Sequence, residues 1–377
     1  MEIAKELDQR KYRILFSTYS DAVEFVSREG FSVVKSPEFR YWTWPDGTVD
    51  PWRSFKWTGI KTFLTFWWQV KTEVNHLQNY RPDLVISDSR LSTLIAAKML
   101  GIPVLTILNQ LYVMASGFIH HRGWRDFARA FSLSFVATPW GLSDEVLIPD
   151  FPPPYTISKF NIEIQSKYTH KIRYVGPILP TRPENLPDSD EIKRKFGFDQ
   201  RPLIYAAVSG PKSEREWLGE KLLKYLRNLP PKYQLVISLA NKAGSSSPQR
   251  DGNVTVFEWL PSRFEMLKAC DVIIGRGSHS TVTQSLAFGK PMVLIPTQEQ
   301  TEQISNTRAA VALGVAEALD QRRLSSEALL SSLEHIFLSK TYWTNAEKIA
   351  RLSKEYNGLQ TILQKVEEHC AARRHSY

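Results

Sequence analysis

Two short polar stretches hold the residues best suited to chemistry. The first is Gly275-Arg276-Gly277-Ser278, followed by His279, Ser280 and Thr281. It comes directly after the apolar run Val272–Ile274 and directly before a segment of helical period. That places it at the carboxyl end of a buried strand, the edge where open α/β sheets bind ligands. Small residues let a ligand approach the backbone. A helix start offers unpaired N–H groups and the positive end of the helix dipole to a diphosphate. The hydroxyls of Ser278, Ser280 and Thr281 add donors. The second stretch, Thr297–Gln303, follows the next apolar run, Pro291–Ile295. Gln298, Glu302 and Gln303 supply both donors and acceptors, which recognition of sugar hydroxyls requires. Asn306 lies one helical turn beyond Gln303, placed to hold the loop or to reach a ligand. A lone Gly-x-Gly is as readily a packing turn. Two such loops at one sheet edge, in this order and spacing, favour a binding site.

Positioning those loops requires alternating strands and helices. Strand-length apolar runs recur at Tyr12–Ser17, Leu84–Ser87, Pro103–Leu108, Phe135–Ala137, Ile204–Val208, Gln234–Ser238, Val254–Phe257, Val272–Ile274 and Pro291–Ile295. They are apolar on both faces and bounded by turn residues, as in a buried parallel sheet. Helical periods fill the gaps at Ser92–Leu100, Glu214–Arg227, Ser280–Phe288 and Gln303–Leu313. The pattern predicts a doubly wound α/β architecture. It breaks once, at Asp150-Phe151-Pro152-Pro153-Pro154 and Gly176-Pro177-Ile178-Leu179-Pro180, where repeated prolines can neither continue a helix nor pair in a central strand. With 377 residues the chain exceeds one ordinary core. The expectation is a domain over 1–178, a second over 179–344, and final helices over 345–377 that pack back across the interface. Lys242–Asp251 reads as a loop.

Bulk properties exclude several classes. Hydrophobic residues make up 42% and charged residues 23%, the range of a folded globular chain. Two cysteines, far apart, make neither a disulfide framework nor a zinc site and suit a reduced, cytoplasmic setting. The start, MEIAKELDQRKYRILF, has no apolar stretch long enough for a signal peptide, and no membrane span is expected. The formal charge of +9 suits anionic partners. No nucleic-acid module is recognisable, which leaves diphosphates and lipid headgroups.

Other residues carry weaker signals. Asp88 closes the strand Leu84–Ser87 at the carboxyl edge, as a candidate catalytic carboxylate or as a cap of the following helix. Ser209-Gly210-Pro211-Lys212 is a Gly-containing loop after a strand, and Lys212 is a candidate phosphate neutraliser. Trp259 and Leu260 end another strand, where Trp259 either stacks on a base or joins the core. His120 and His121 read as solvated surface histidines or as residues facing a second substrate. Asp188-Ser189-Asp190 is an Asp-x-Asp string that helix capping explains, and no metal is assigned. Tyr41–Trp68 gathers Trp42, Trp44, Trp52, Trp57, Trp67 and Trp68 with Phe55, Phe63, Phe66, Arg53, Lys56 and Lys61. Aromatic and basic residues together suit a membrane interface, against the alternative of aromatic packing.

The segment Gly275–Asn306 resembles the donor-binding half of glycosyltransferase family 28, the MurG-type enzymes and their archaeal relatives. The Gly-Arg-Gly-Ser turn, Thr281-Val282-Thr283-Gln284, Ala287-Phe288-Gly289-Lys290-Pro291 and Pro296…Glu302-Gln303…Asn306 carry the resemblance. It implies the GT-B fold, two Rossmann-like doubly wound parallel-sheet domains facing a cleft. It further implies donor binding by Ser209, Gly210, Trp259, Leu260, Arg276, Gly277, Ser278, His279, Ser280, Thr281, Gln284, Gln298, Glu302 and Gln303. The turn and helix start would bind the diphosphate, and Glu302 and Gln303 the sugar. Where the family has a ribose-binding Glu, this chain has Gln284. Relatives begin with a strand and a Gly-His loop, whereas this sequence starts within the helix that follows, so a truncated start is expected and Asp88 remains the catalytic candidate.

The implied activity is that of a metal-independent, cofactor-free, inverting hexosyltransferase. It would move N-acetylglucosamine from a UDP-sugar to a hydroxyl of a lipid-linked saccharide, in the cytoplasm or at the inner face of the membrane, with Tyr41–Trp68 as the membrane contact. A UDP-sugar-binding subunit dependent on a partner, an epimerase or hydrolase of the same fold, and a lipid-surface binding protein are the alternatives.

Overall fold

A computed structural model describes residues 1–38, 51–110, 138–162, 166–241 and 243–374; for 51–60, 62, 138, 166–168 and 374 it describes the backbone alone. His120, His121, the strand expected at Phe135–Ala137 and the tryptophans at 42 and 44 lie outside the described residues. So do the side chains of Trp52 and Trp57.

The C-terminal half is built on a seven-stranded sheet in the order β13-β12-β11-β7-β8-β10-β9. Its strands are β7 (Leu203–Ala207), β8 (Gln234–Ser238), β9 (Gln249–Asp251), β10 (Val254–Phe257), β11 (Val272–Gly275), β12 (Met292–Leu294) and β13 (Ala316–Ala318). All neighbours pair in parallel except β9, which runs antiparallel to β10. The region read as a loop thus ends in an edge strand. Gln249-Arg250-Asp251 are polar and exposed, so no apolar run marks them. In the centre, β8, β11 and β12 are buried throughout. Helices cover both faces of the sheet, with Met266, Leu286 and Ile349 in one core and Leu218, Leu222 and Leu333 in the other. Burial on both faces explains why these strands read as continuous apolar runs rather than alternations.

The N-terminal half holds two smaller parallel sheets. One pairs β1 (Leu15–Thr18) with β2 (Ser32–Lys35), and the other has the order β3-β4-β5-β6. Its strands are β3 (Val85–Asp88), β4 (Val104–Ile107), β5 (Glu145–Ile148) and β6 (Ile172–Tyr174). Of these six, β2, β5 and β6 had no sequence signal strong enough to be expected, and the same holds for β13. They are three or four residues long, and β2, β6 and β13 lie at sheet edges.

Alternation of backbone direction shows how the two sheets face each other. Thr18 O accepts from Ser36 N on the β2 side, so Ser17 O points the other way. Arg90, just past β3, donates to Ser17 O from Nη1 at 2.9 Å. On β3, Val85 N and, beyond its end, Ser89 N bond to Pro103 O and Ile107 O. The backbone groups of Ile86 and Asp88 therefore face away from β4. Glu73 binds the junction together. Its Oε1 lies 2.8 Å from Arg90 Nη2 and accepts from Ser17 Oγ at 2.6 Å and Ser36 Oγ at 2.9 Å.

The chain returns across both halves at its end. The helix Lys340–Ser353 packs Ala346 and Ile349 against the core beneath Phe288. The helix Gly358–Arg374 then lays Leu359, Leu363, Val366 and Cys370 against Leu7 and Leu105 of the N-terminal half. Gly358 sits at that crossing because a Cβ there would collide with the carbonyl oxygens of Gly176 and Pro177. Arg182 fixes the same crossing by donating to the carbonyls of Ser353 and Tyr356.

Candidate functional site

The helix His279–Ala287 starts immediately after β11, between β7 and β12, at the carboxyl edge of the sheet. Ser278 is its N-cap, and the cap side chain makes no bond to a helix N–H. Its Oγ instead donates to Thr281 Oγ1 at 2.8 Å. The first-turn amides of an α-helix have no partner within the helix. Here they belong to His279, Ser280 and Thr281, since Val282 N already bonds to Ser278 O. Ser280 is exposed, and Ser278 and Thr281 are half-buried. Donors and dipole therefore meet solvent at the place expected for an anion.

The loop before the next helix, Thr301–Ala312, converges on this turn. Glu302 Oε1 lies 3.4 Å from His279 N, 3.3 Å from Asn109 Nδ2 and 3.5 Å from Asn306 Nδ2. Asn306 donates to Gly277 O at 3.1 Å, and its Oδ1 accepts from Asn161 Nδ2 at 3.3 Å. Asn109 and Asn161 belong to the N-terminal half, so the turn stands on a seam between the halves.

Several residues expected to meet a ligand do something else with their side chains. Arg276 is buried (1% exposed), with Nη1 donating to Ile295 O at 3.2 Å and to Gln321 Oε1, beneath the ring of Trp217. It braces the turn from behind. Gly277 is small for the sake of the helix, not of a ligand: a Cβ there would strike Thr307 Oγ1 and Gln303 O. Gln303 is buried and accepts from Thr297 N. Leu260 is buried in the core, leaving only its backbone for any base. Lys212 is exposed and 3.7 Å from Glu216, one turn along its own helix. For all of these but Leu260 the sequence showed a polar or small residue in the right loop, but not the direction of its side chain.

Others keep an accessible position. Ser209 is half-buried and Gly210 exposed with φ +110°, a conformation that favours glycine. Trp259 is half-buried beyond β10. Gln298 donates to Asp320 at 2.8 Å. Gln284 bridges two elements: Oε1 accepts from Arg263, and Nε2 donates to Ile178 O at 3.2 Å in the connection between the halves.

Asp88 ends β3 and is exposed, although surrounding protein still crowds its carboxyl. That burial pushes its pKa above the usual carboxylate value, with the Met1 amino group pulling the other way. It does not cap the next helix, whose N-cap is Arg90 without a side-chain bond. Asp188 likewise starts the helix Ser189–Lys195 with no side-chain cap bond, and Asp190 and Glu191 serve its first turn by charge. Among the described residues no group of three or more His, Cys, Asp or Glu could hold a metal ion.

The sequence reading passed over Asp150. It is fully buried just after β5. Its carboxylate accepts from Phe151 N at 2.7 Å, Ile157 N at 3.2 Å, Ser158 N at 2.8 Å and Ser158 Oγ at 2.6 Å. Nε2 of the buried His279 lies 3.1 Å from Oδ2, an ion-pair distance with the N–H out of line for a hydrogen bond. Burial alone would push the Asp150 carboxyl up, yet the His279 charge and the Ser158 bonds hold it below the ordinary value. Recognising β5 would have exposed Asp150 as a carboxylate at a strand's carboxyl edge, the reasoning that singled out Asp88.

The long helix Pro51–Tyr80 presents an aromatic face outward. Phe63 is 63% exposed, Leu64 60%, Trp67 48% and Trp68 63%, with Lys61 and Lys71 exposed beside them. Its inner face carries Gln69, Val70 and Glu73, all buried. No helix among the described residues is long and apolar enough to cross a membrane.

Residues 218–362 match the glycosyltransferase family 28 C-terminal domain. An uncharacterized glycosyltransferase of Methanosarcina acetivorans is 26% identical over 369 residues, covering 98% of this chain and 93% of that protein. A Bacillus cereus UDP-N-acetylglucosamine--N-acetylmuramyl-(pentapeptide) pyrophosphoryl-undecaprenol N-acetylglucosamine transferase is 26% identical over 206 residues, 52% of this chain and 56% of its own. Among solved structures, the spinosyn rhamnosyltransferase SpnG complexed with thymidine diphosphate superposes with a TM-score of 0.67 at 14% identity, over 97% of this chain and 95% of that one. The kitacinnamycin glycotransferase gives 0.64 at 17% identity, over 98% and 94%. The fold is GT-B.

Proposed function

We propose that this chain, a glycosyltransferase by its family 28 C-terminal domain and GT-B fold, moves N-acetylglucosamine from UDP-N-acetylglucosamine to a hydroxyl of a lipid-linked saccharide with inversion. The observation that carries the donor half of this reading is the helix start His279–Thr281. It sits at the carboxyl edge of β11 with exposed or half-buried hydroxyls around the amides of Ser280 and Thr281, while the His279 amide donates to Glu302. Such an end stabilises a leaving diphosphate by fixed dipoles, with no reorganisation during the reaction. Ser209, Gly210 and Trp259, at the ends of β7 and β10, supply the nucleoside side. Gln298 and Glu302 reach toward the sugar from the adjoining loop.

The acceptor side rests on Asp88 as the base that takes the hydroxyl proton, so that the oxygen attacks the anomeric carbon. The B. cereus relative bears a name with a polyprenol-linked acceptor. The outward aromatic and lysine-flanked face of Phe63–Trp68 supports an acceptor of that kind, delivered from the inner face of a membrane.

Calorimetry of the purified chain tests the donor half, with UDP-N-acetylglucosamine, UDP-glucose and their GDP counterparts. Saturable binding with a preference for the N-acetylglucosamine donor is expected. Failure to bind any nucleotide sugar would overturn the reading.

A further inference from the structure

The buried Asp150–His279 pair sits beneath the helix start to which the leaving diphosphate has been assigned, and this inference rests on that assignment. Asp150 comes from the N-terminal half and His279 is the first residue of the C-terminal helix. Their contact at 3.1 Å joins the two halves, as do Asn109–Glu302 and Asn161–Asn306.

The charge at this place decides what the helix start can bind. Four N–H and O–H donors on Asp150 favour its ionised form. With a neutral imidazole, the pair would carry one negative charge at the positive end of the helix dipole. A ligand anion would then meet a like charge already stabilised by the same dipole. With a protonated imidazole the pair is neutral, and the dipole and the Ser280 and Thr281 amides are left for the ligand. Among the described residues, Glu302 and Tyr174 do not replace this proton. Glu302 approaches the His279 backbone N at 3.4 Å and adds negative charge. Tyr174, on β6, is neutral at physiological pH, its hydroxyl pushed further up by burial and by Asp150.

We propose that donor binding at this helix start is coupled to protonation of His279. Asp150, reaching from the opposite half, is the positioning residue that makes the coupling necessary. Domain contact and anion binding are thereby linked, since a residue of the N-terminal half sets the charge of a site built on the C-terminal sheet.

The test uses UDP-N-acetylglucosamine, whose diphosphate diester does not titrate near neutrality. Its binding to the full chain is measured calorimetrically from pH 6 to 8.5, in buffers of differing ionisation enthalpy. Wild type should take up as much as one proton per donor, with Kd rising by up to about tenfold per pH unit within that interval. H279Q should bind weakly at every pH, with no proton uptake. D150N removes the anion, and at pH 8.5 should bind at least as tightly as wild type does at pH 6; a pair serving only to lock the halves together would instead weaken binding in D150N. Binding by wild type without proton uptake, or an H279Q profile matching wild type, would overturn this inference and leave the donor site standing. Absence of binding at every pH would overturn the donor site, and this inference with it.

Discussion

Gln303 turns its amide back onto the loop that precedes its own helix, where Oε1 accepts the buried N–H of Thr297 at 2.8 Å. The resemblance had given this residue to the sugar. Its geometry makes it the support of the loop on which Gln298 stands. In Q303A the Thr297 N–H is left without a partner, at a cost of about 1–3 kcal/mol. Thermal melting should show the loss. Affinity for UDP-N-acetylglucosamine and UDP-glucose should fall by the same factor, so that their ratio stays constant. A changed ratio would return Gln303 to the sugar site.

Gly277 faces the helix Thr301–Ala312 at a distance that leaves no room for a side chain. G277A must push that helix away and disturb the Asn306–Gly277 bond. We expect a destabilisation of about 1–3 kcal/mol, typical of overpacking, read from the urea midpoint, together with weaker nucleotide binding. A stable variant with unchanged binding would show that the contact yields easily.

Glu73 is 1% exposed and shares one oxygen among Arg90, Ser17 and Ser36, at the place where the two N-terminal sheets meet. Removing the carboxylate leaves the mostly buried Arg90 guanidinium uncompensated. E73A should cost about 3–5 kcal/mol, and E73Q less because it keeps the hydroxyl donors an acceptor. Equal denaturation midpoints for E73A and wild type would refute the idea of a clasp.

Crowding raises the Asp88 carboxyl above its ordinary value. The native state therefore holds this proton more tightly than the unfolded chain. This residue's contribution to stability declines as pH rises from the ordinary carboxylate value through the raised one. D88N removes that decline and should fold at least as well as wild type at neutral pH. If Asp88 is the base, the same variant loses about 10²–10⁴ in turnover. The wild-type rate should fall on acidification along a limb displaced upward from an ordinary carboxylate. Full activity in D88N would eliminate Asp88 as the base.

The exposed face of Phe63, Leu64, Trp67 and Trp68, flanked by Lys61 and Lys71, should partition onto anionic vesicles. Each lysine near such a surface contributes about 1 kcal/mol. Co-sedimentation with phosphatidylglycerol vesicles should drop at least tenfold in W67S/W68S, and should weaken with salt in wild type. Retained vesicle binding in the double variant would place the contact elsewhere.

Much of the fold was legible because burial on both faces of a parallel sheet forces continuous apolar runs. β8 and β10 were read to the residue, and β7, β11 and the helix His279–Ala287 to within one. Strands β2, β6, β9 and β13 escaped because they are short edge strands with little apolar signal, and β5 because its apolar Val146-Leu147-Ile148 runs straight into Pro149 and the proline-rich stretch. Asp150 was hidden with β5, inside a proline-rich stretch that read as a linker.

Residue type and order along the chain determined which loops gather at the carboxyl edge of the C-terminal sheet, because strand and helix periods are local properties. Tertiary structure alone decided where the side chains of those loops go. Arg276, Gln303 and Asn306 satisfy buried backbone and side-chain groups, since an orphaned polar atom in the interior costs more than a ligand contact can repay. The meeting of Asp150 with His279 likewise joins residues 129 positions apart. No local pattern encodes such a distance, and only the packing of the two halves closes it.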